Sequence, residues 1–132
     1  MSDDKRDERQ KYKDEENRRA LMRAAAKGSV AIFEQLYCYW EDDMKSQAKE
    51  AQSIAIENGQ LEFFKHIVKK HCNPRRSSLK IAAMHGQLEI VKYLIENFKT
   101  KFDEYDARHA VSVATECENR DIATYIKCQY NI

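Results

Sequence analysis

Turn residues are scarce in this chain: 132 residues contain three glycines and one proline. An all-β fold wants a Gly, Pro or Asn cluster roughly every 8 to 12 residues, so a mostly helical chain is expected. A surplus of one charge is missing too. Twenty-three Lys and Arg face 22 Asp and Glu, a formal net charge of +1, too small for a long-range field that would gather polyanions. No stretch approaches the roughly 20 apolar residues needed to span a bilayer. The opening MSDDKRDERQKYKDEE has seven acids and no apolar run, which suits neither a secretory signal nor a transit peptide. Cys38, Cys72, Cys117 and Cys128 are scattered without a CxxC, so a zinc framework lacks its usual spacing and reduced thiols of a cytoplasmic or nuclear protein are expected. His66, His71 and Cys72 come nearest to a ligand cluster. A helix through them would set the two histidines five residues apart, off the i, i+4 face, so no metal and no cofactor are expected.

What is present is apolar material for one domain, 42% of the residues, arranged as a repeat. Residues 23–37 (RAAAKGSVAIFEQLY), 54–68 (IAIENGQLEFFKHIV) and 81–95 (IAAMHGQLEIVKYLI) align, and all three glycines, Gly28, Gly59 and Gly86, occupy one position of the frame. Residues 113–127 (VATECENRDIATYIK) form a fourth, weaker copy with Glu118 at the glycine position. The glycine spacings of 31 and 27 residues (59 − 28 and 86 − 59) fall in the range of repeat architectures.

Each copy reads as a helical hairpin. Small residues precede the glycine: Ala24 and Ala25, Ala55 and Ile56, Ala82 and Ala83. After it, Leu61, Phe64, Ile67 and Val68, like Leu88, Val91, Leu94 and Ile95, form one stripe of a 3.6-residue period. Glycine suits the turn because a helix that stops in the left-handed region costs a residue with a Cβ about 1 kcal/mol or more. Glu118 departs from this rule, so a different final turn is expected. One hairpin cannot bury both faces, and stacking completes the core. The expected fold is an all-α solenoid of about four stacked helical hairpins at residues 20–132, after a charged segment at 1–19. That segment holds seven basic and seven acidic residues, with only Tyr12 as a sizeable apolar group; it should be solvated helix or frayed tail, with a short docked cap from about residue 12. At the far end Ile122, Tyr125 and Ile126 should face inward, and Lys127, Gln129 and Asn131 outward.

Residues 82–95, AAMHGQLEIVKYLI, resemble the ankyrin repeat, whose units pass through an Ala-Ala-x-x-Gly turn into a Leu-Glu-Ile-Val-type outer helix. The resemblance spans roughly residues 20–130. The family's Thr-Pro-Leu-His opening is replaced by Ser77-Ser78-Leu79-Lys80, and its Gly-Ala-Asp-Val-Asn stretch by Tyr39-Trp40-Glu41-Asp42-Asp43, His71-Cys72-Asn73-Pro74 and Lys99-Thr100-Lys101-Phe102. Little or no β-hairpin finger is therefore expected. Degenerate sets of this kind resemble those of large DNA viruses, protists and host-adapted bacteria. The resemblance implies a non-enzymatic protein-protein interaction module, adaptor or inhibitor, whose concave contacts match Ala26, Lys27, Glu57, Asn58, Met84, His85 and, by analogy, Glu116 and Cys117. Of these, Met84 and His85 are the leading pair, an adaptable apolar side chain beside a polar tip.

Two other readings remain open. Residues 65–80 carry six bases, Lys65, Lys69, Lys70, Arg75, Arg76 and Lys80, and no acid. Such a band can neutralise phosphates, making an anion or nucleic-acid binder the first alternative. Acid-rich flanks and the lack of interleaved stacking aromatics argue against it. A structural subunit that self-assembles through an under-capped end is the second alternative, although a monomer is favoured. Enzyme motifs are lacking: no phosphate loop, nucleophile elbow or HExxH helix occurs. Arg75-Arg76-Ser77-Ser78 resembles a basophilic kinase site, and Ser77 or Ser78 should cap the following helix. Tyr37, Tyr39 and Trp40 should fill the space between the first two units.

Overall fold

A computed structural model describes residues 2–37 and 44–132, with side chains from residues 15–37 and 47–132. Among the described residues eight α-helices follow one another: α1 (Ser2–Lys27), α2 (Val30–Tyr37), α3 (Met44–Glu57), α4 (Leu61–Lys70), α5 (Ser78–Met84), α6 (Leu88–Phe98), α7 (Glu104–Glu116) and α8 (Arg120–Tyr130), with one 3-10 turn at Lys99–Lys101. No strand occurs among the described residues, in line with the expected absence of fingers. The odd-numbered helices form an inner row, α1 on α3, α3 on α5 and α5 on α7, and each even-numbered helix packs on its own inner partner. Tyr39 and Trp40 lie outside the described residues, as do the side chains of 2–14. The helix reaching back to Ser2 is thus a statement about backbone.

All four hairpins turn alike. The residue after the glycine position donates its N–H back across five residues: Ser29 to Ala24 O (2.8 Å), Gln60 to Ala55 O (2.9 Å), Gln87 to Ala82 O (3.0 Å) and Asn119 to Ala114 O (2.7 Å). This is the Schellman closure, which requires a left-handed residue in between. Gly28, Gly59 and Gly86 supply it at φ of 75°, 68° and 70°, and Glu118 supplies it at 63°. The expected deviation at the last turn is therefore absent.

The buried stripe is wider than the sequence period suggests. In α4 the buried residues are Phe63, Phe64, Ile67 and Val68, and in α6 Ile90, Val91, Leu94 and Ile95. Leu61 and Leu88 are only half-buried. Outer helices are covered both by their own inner helix and by the neighbouring unit: Phe63 meets Phe33 of α2 edge-on at 5.3 Å. Ile32 holds the register of Phe63 and is 50% exposed. In α8, Ile122 and Ile126 are buried and Tyr125 half-buried, as expected, whereas Gln129 is half-buried instead of outward.

Side chains settle the connections. Gln52 of α3, fully buried, donates its amide to Cys72 O (2.8 Å), Cys72 Sγ (3.1 Å) and Asn73 O (3.2 Å), fastening the α4–α5 loop. Ser77 occupies the N-cap of α5 without capping it. Ser78 is buried and accepts the Arg75 N–H at 3.0 Å, so its hydroxyl closes the loop and the expected cap is not made. The N-terminus of α7 is capped instead: Asp103 accepts the Asp106 N–H (2.8 Å) and Asp106 accepts the Asp103 N–H (3.2 Å). Arg76 joins both carboxylates, at 2.7 and 3.3 Å.

Candidate protein-interaction surface

The repeat turn places the candidate contact residues identically in every unit. Ala26 and Lys27 end α1, Glu57 ends α3 with Asn58 next, Met84 ends α5 with His85 as its C-cap, and Glu116 ends α7 with Cys117 as its C-cap. All are exposed except half-buried Ala26, and Met84 is one of the few large apolar side chains left open. The residues just before them, Ala24, Ala25, Ala55, Ile56, Ala82 and Ala83, are buried. Packing thus holds the frame while the turn edge stays free. Asn58 is oriented by donating its amide to Ile54 O at 2.8 Å.

A ladder of amides, missed by sequence reasoning, sets the spacing between these edges. Gln60, at the start of α4, gives its side-chain N–H to Ala26 O of the preceding unit (2.9 Å), and Asn119, at the start of α8, gives its own to Ala83 O (2.9 Å). Each amide lies over the preceding turn glycine. A Cβ on Gly28 would stand 2.5 Å from Gln60 Oε1, one on Gly59 2.8 Å from Gln87 Oε1, and one on Gly86 3.2 Å from Asn119 Oδ1. Glycine is needed here both for its backbone and for this close approach. The repeated Gly-Gln, Gly-Gln and Glu-Asn pairs were the available signal.

The family model described as ankyrin repeats in three copies matches residues 53–132, which is more than half of the chain. The chain belongs to the ankyrin-repeat family. Neither a curated protein nor a solved structure matches it. Ankyrin repeats are generally protein-protein interaction modules and typically non-enzymatic scaffolds. The match begins inside α3, yet the hairpin at α1 and α2, ahead of it, closes on the same left-handed glycine and carries the same amide on its turn. Among the described residues no helix is long and apolar enough to cross a membrane.

Beside Ala26 lies an open hollow of about 730 Å³, lined by Glu15, Arg18, Arg19, Met22, Arg23 and by Ile54 of α3. Its α1 residues recur every three or four positions, one helical face. Arg18 is tied across it to Glu50 by a forked pair at 2.8 to 3.2 Å. The charged stretch before residue 20 hid this face, because its acids and bases balance when read linearly. Tyr105, 72% exposed at the start of α7, was also passed over.

Half of the basic band is engaged within the protein. Arg76 is held by Asp103 and Asp106, Lys70 stands 3.3 Å from Glu34, and Lys65 is 3.7 Å from Glu62 and 5.4 Å from the Tyr93 ring centre. Lys69 and Arg75 are exposed and Lys80 half-buried.

His66 and His71 are not kept apart by helical spacing as expected, because α4 ends at Lys70 and His71 lies beyond it. Both Nε2 atoms meet Glu34 Oε1 of the preceding unit, at 2.7 Å from His66 and 2.6 Å from His71. Burial pushes the Glu34 carboxyl upward, but hydrogen bonds from His71, His66 and Lys70 outweigh it and hold it down at about 2.

Proposed function

We propose that this ankyrin-repeat chain is an adaptor or inhibitor, acting in the cytoplasm or nucleus. Its protein partner docks along the inner-helix ends at Ala26, Lys27, Glu57, Asn58, Met84, His85, Glu116 and Cys117. The observation that carries this reading is positional. Variable, mostly exposed side chains recur at one point of each hairpin, on turns closed by the same hydrogen bonds, next to small residues that are fully packed. A surface held this way loses little ordering entropy on binding, so its affinity would come from display at fixed spacing. The hollow lined by Met22, Ile54 and three arginines adjoins Ala26 and gives the partner an apolar anchor with acidic surroundings to complement it.

The test is crosslinking with identification of partners by mass spectrometry, followed by affinity measurement on the purified pair. Wild-type protein is compared with Met84→Glu/His85→Glu and with Lys127→Glu on the outer helix α8. The double variant should weaken binding at least about tenfold, as loss of a central contact pair does, with Lys127→Glu near wild type and all melting curves alike. Equal binding by the three proteins would mean that the contact surface lies elsewhere. The anion-binding alternative predicts salt-sensitive oligonucleotide binding that depends on Lys69, Arg75 and Lys80, and a null titration at low salt removes it.

A further inference from the structure

We propose that Glu34, His66 and His71 form a binding site for one Zn²⁺ ion, a clip between the first two outer helices. The site is separate from the inner-helix ends and independent of the docking reading. Three donor atoms from three places in the chain, α2, α4 and the turn after α4, lie within 4.8 Å of one another. Imidazole nitrogen and carboxylate oxygen are a donor set that Zn²⁺ accepts.

The two imidazoles converge on one and the same carboxylate oxygen, so a single point lies near all three donors. The arrangement is also held in place. The His71 side chain is 6% exposed, with its ring 4.0 Å from that of Tyr37 and 5.6 Å from that of Phe33. His66 approaches edge-on at 6.0 Å between ring centres.

Zn–N and Zn–O distances near 2.0 to 2.1 Å put tetrahedral ligands about 3.3 Å apart. The Glu34 oxygen must therefore withdraw by roughly 0.6 Å from its present hydrogen bonds, and the two Nε2 atoms, within 4.8 Å of each other, must settle to the same spacing by rotation of the side chains. Each Nε2 now donates to the Glu34 carboxylate, so the proton of a neutral ring must pass from Nε2 to Nδ1 through solvent before the Nε2 lone pair meets the cation, a change of tautomer with no net proton loss. Lys70 holds the second carboxylate oxygen at 3.3 Å and, being mostly exposed, can swing out as the cation enters. Three protein ligands leave a fourth position for water or a partner's donor. Cys72 Sγ is bonded by Gln52 and is not among the three donors.

Reduced, chelator-stripped protein carrying Cys117→Ser and Cys128→Ser is titrated with Zn²⁺ by calorimetry and with Co²⁺ by absorption. One equivalent of Zn²⁺ is expected, with visible Co²⁺ d–d bands, no near-ultraviolet thiolate band, and a higher melting temperature in Zn²⁺. Glu34→Gln and His66→Gln, each checked for native circular dichroism, should weaken binding at least about tenfold, whereas His109→Gln should not. The more buried His71→Gln variant should behave like them where it folds. No uptake by the Cys-substituted parent, a thiolate band, or full-strength uptake by both Glu34→Gln and His66→Gln would overturn the site.

Discussion

A Cβ at a turn glycine would press on the next unit's amide, hardest at Gly28 (2.5 Å) and Gly59 (2.8 Å) and least at Gly86 (3.2 Å). At position 118 the backbone penalty of a left-handed residue, about 1 to 2 kcal/mol, stands against the about 0.4 to 1 kcal/mol of unfolded-state entropy that glycine loses. Glu118→Gly should therefore stabilise the protein by about 0.5 to 1 kcal/mol, read from urea unfolding. Gly28→Ala should do the opposite, by more than about 1 kcal/mol. It combines the same backbone penalty with a Cβ placed 2.5 Å from Gln60 Oε1, which must displace the bond from Gln60 to Ala26 O.

At the scale of elements, the joints between units depend on a few polar side chains. Gln52 holds the α4–α5 loop through three acceptors, and its own carbonyl oxygen has no partner among the described residues. Gln52→Met keeps the volume and removes only the donors. Leaving the Cys72 and Asn73 carbonyls unpaired should cost about 1 to 3 kcal/mol, measured by urea unfolding. The α7 cap adds a pH dependence. Asp103 is held below its ordinary 3.8 chiefly by the Asp106 N–H, against an upward push from partial desolvation, with Arg76 assisting. A carboxyl lowered on folding contributes fully above its unfolded value and loses that contribution as the pH falls through its folded one. Asp103→Ala should thus lower the unfolding midpoint at neutral pH. The gap to wild type should close as the pH is taken below 3.8, and a gap that stays constant would show that the cap is not responsible.

The described helices form a one-dimensional stack in which this register of an outer helix packs on the outer helix before it. Ile32 of α2 is left half in solvent, whereas in α8 the same register is filled by buried Ile122 beside α6, with Ile126 fully buried one turn on. In such a stack stability is roughly a sum of unit and neighbour terms. Ile126→Ala should cost about 2 to 5 kcal/mol and open α7 and α8 first. Hydrogen exchange should quicken there and stay near wild type in α1 and α3; uniform acceleration would mean that the stack unfolds as one cooperative block.

Several features were legible before any coordinates: the four-unit frame, the all-α class, the absence of strand among the described residues and the turn positions of Met84 and His85. They depend on residues adjacent in sequence, since a left-handed closure and a helical face are set by local backbone preference and by the period of apolar residues. Stacking decided what no single unit contains. It laid Gln60 and Asn119 across the preceding turns, tied Arg76 to Asp103, and brought Glu34 to His66 and His71 from more than thirty residues away. Each of those neighbours belongs to a different unit, so its position follows from how the hairpins pile on one another, and a linear reading of charge or spacing cannot place it.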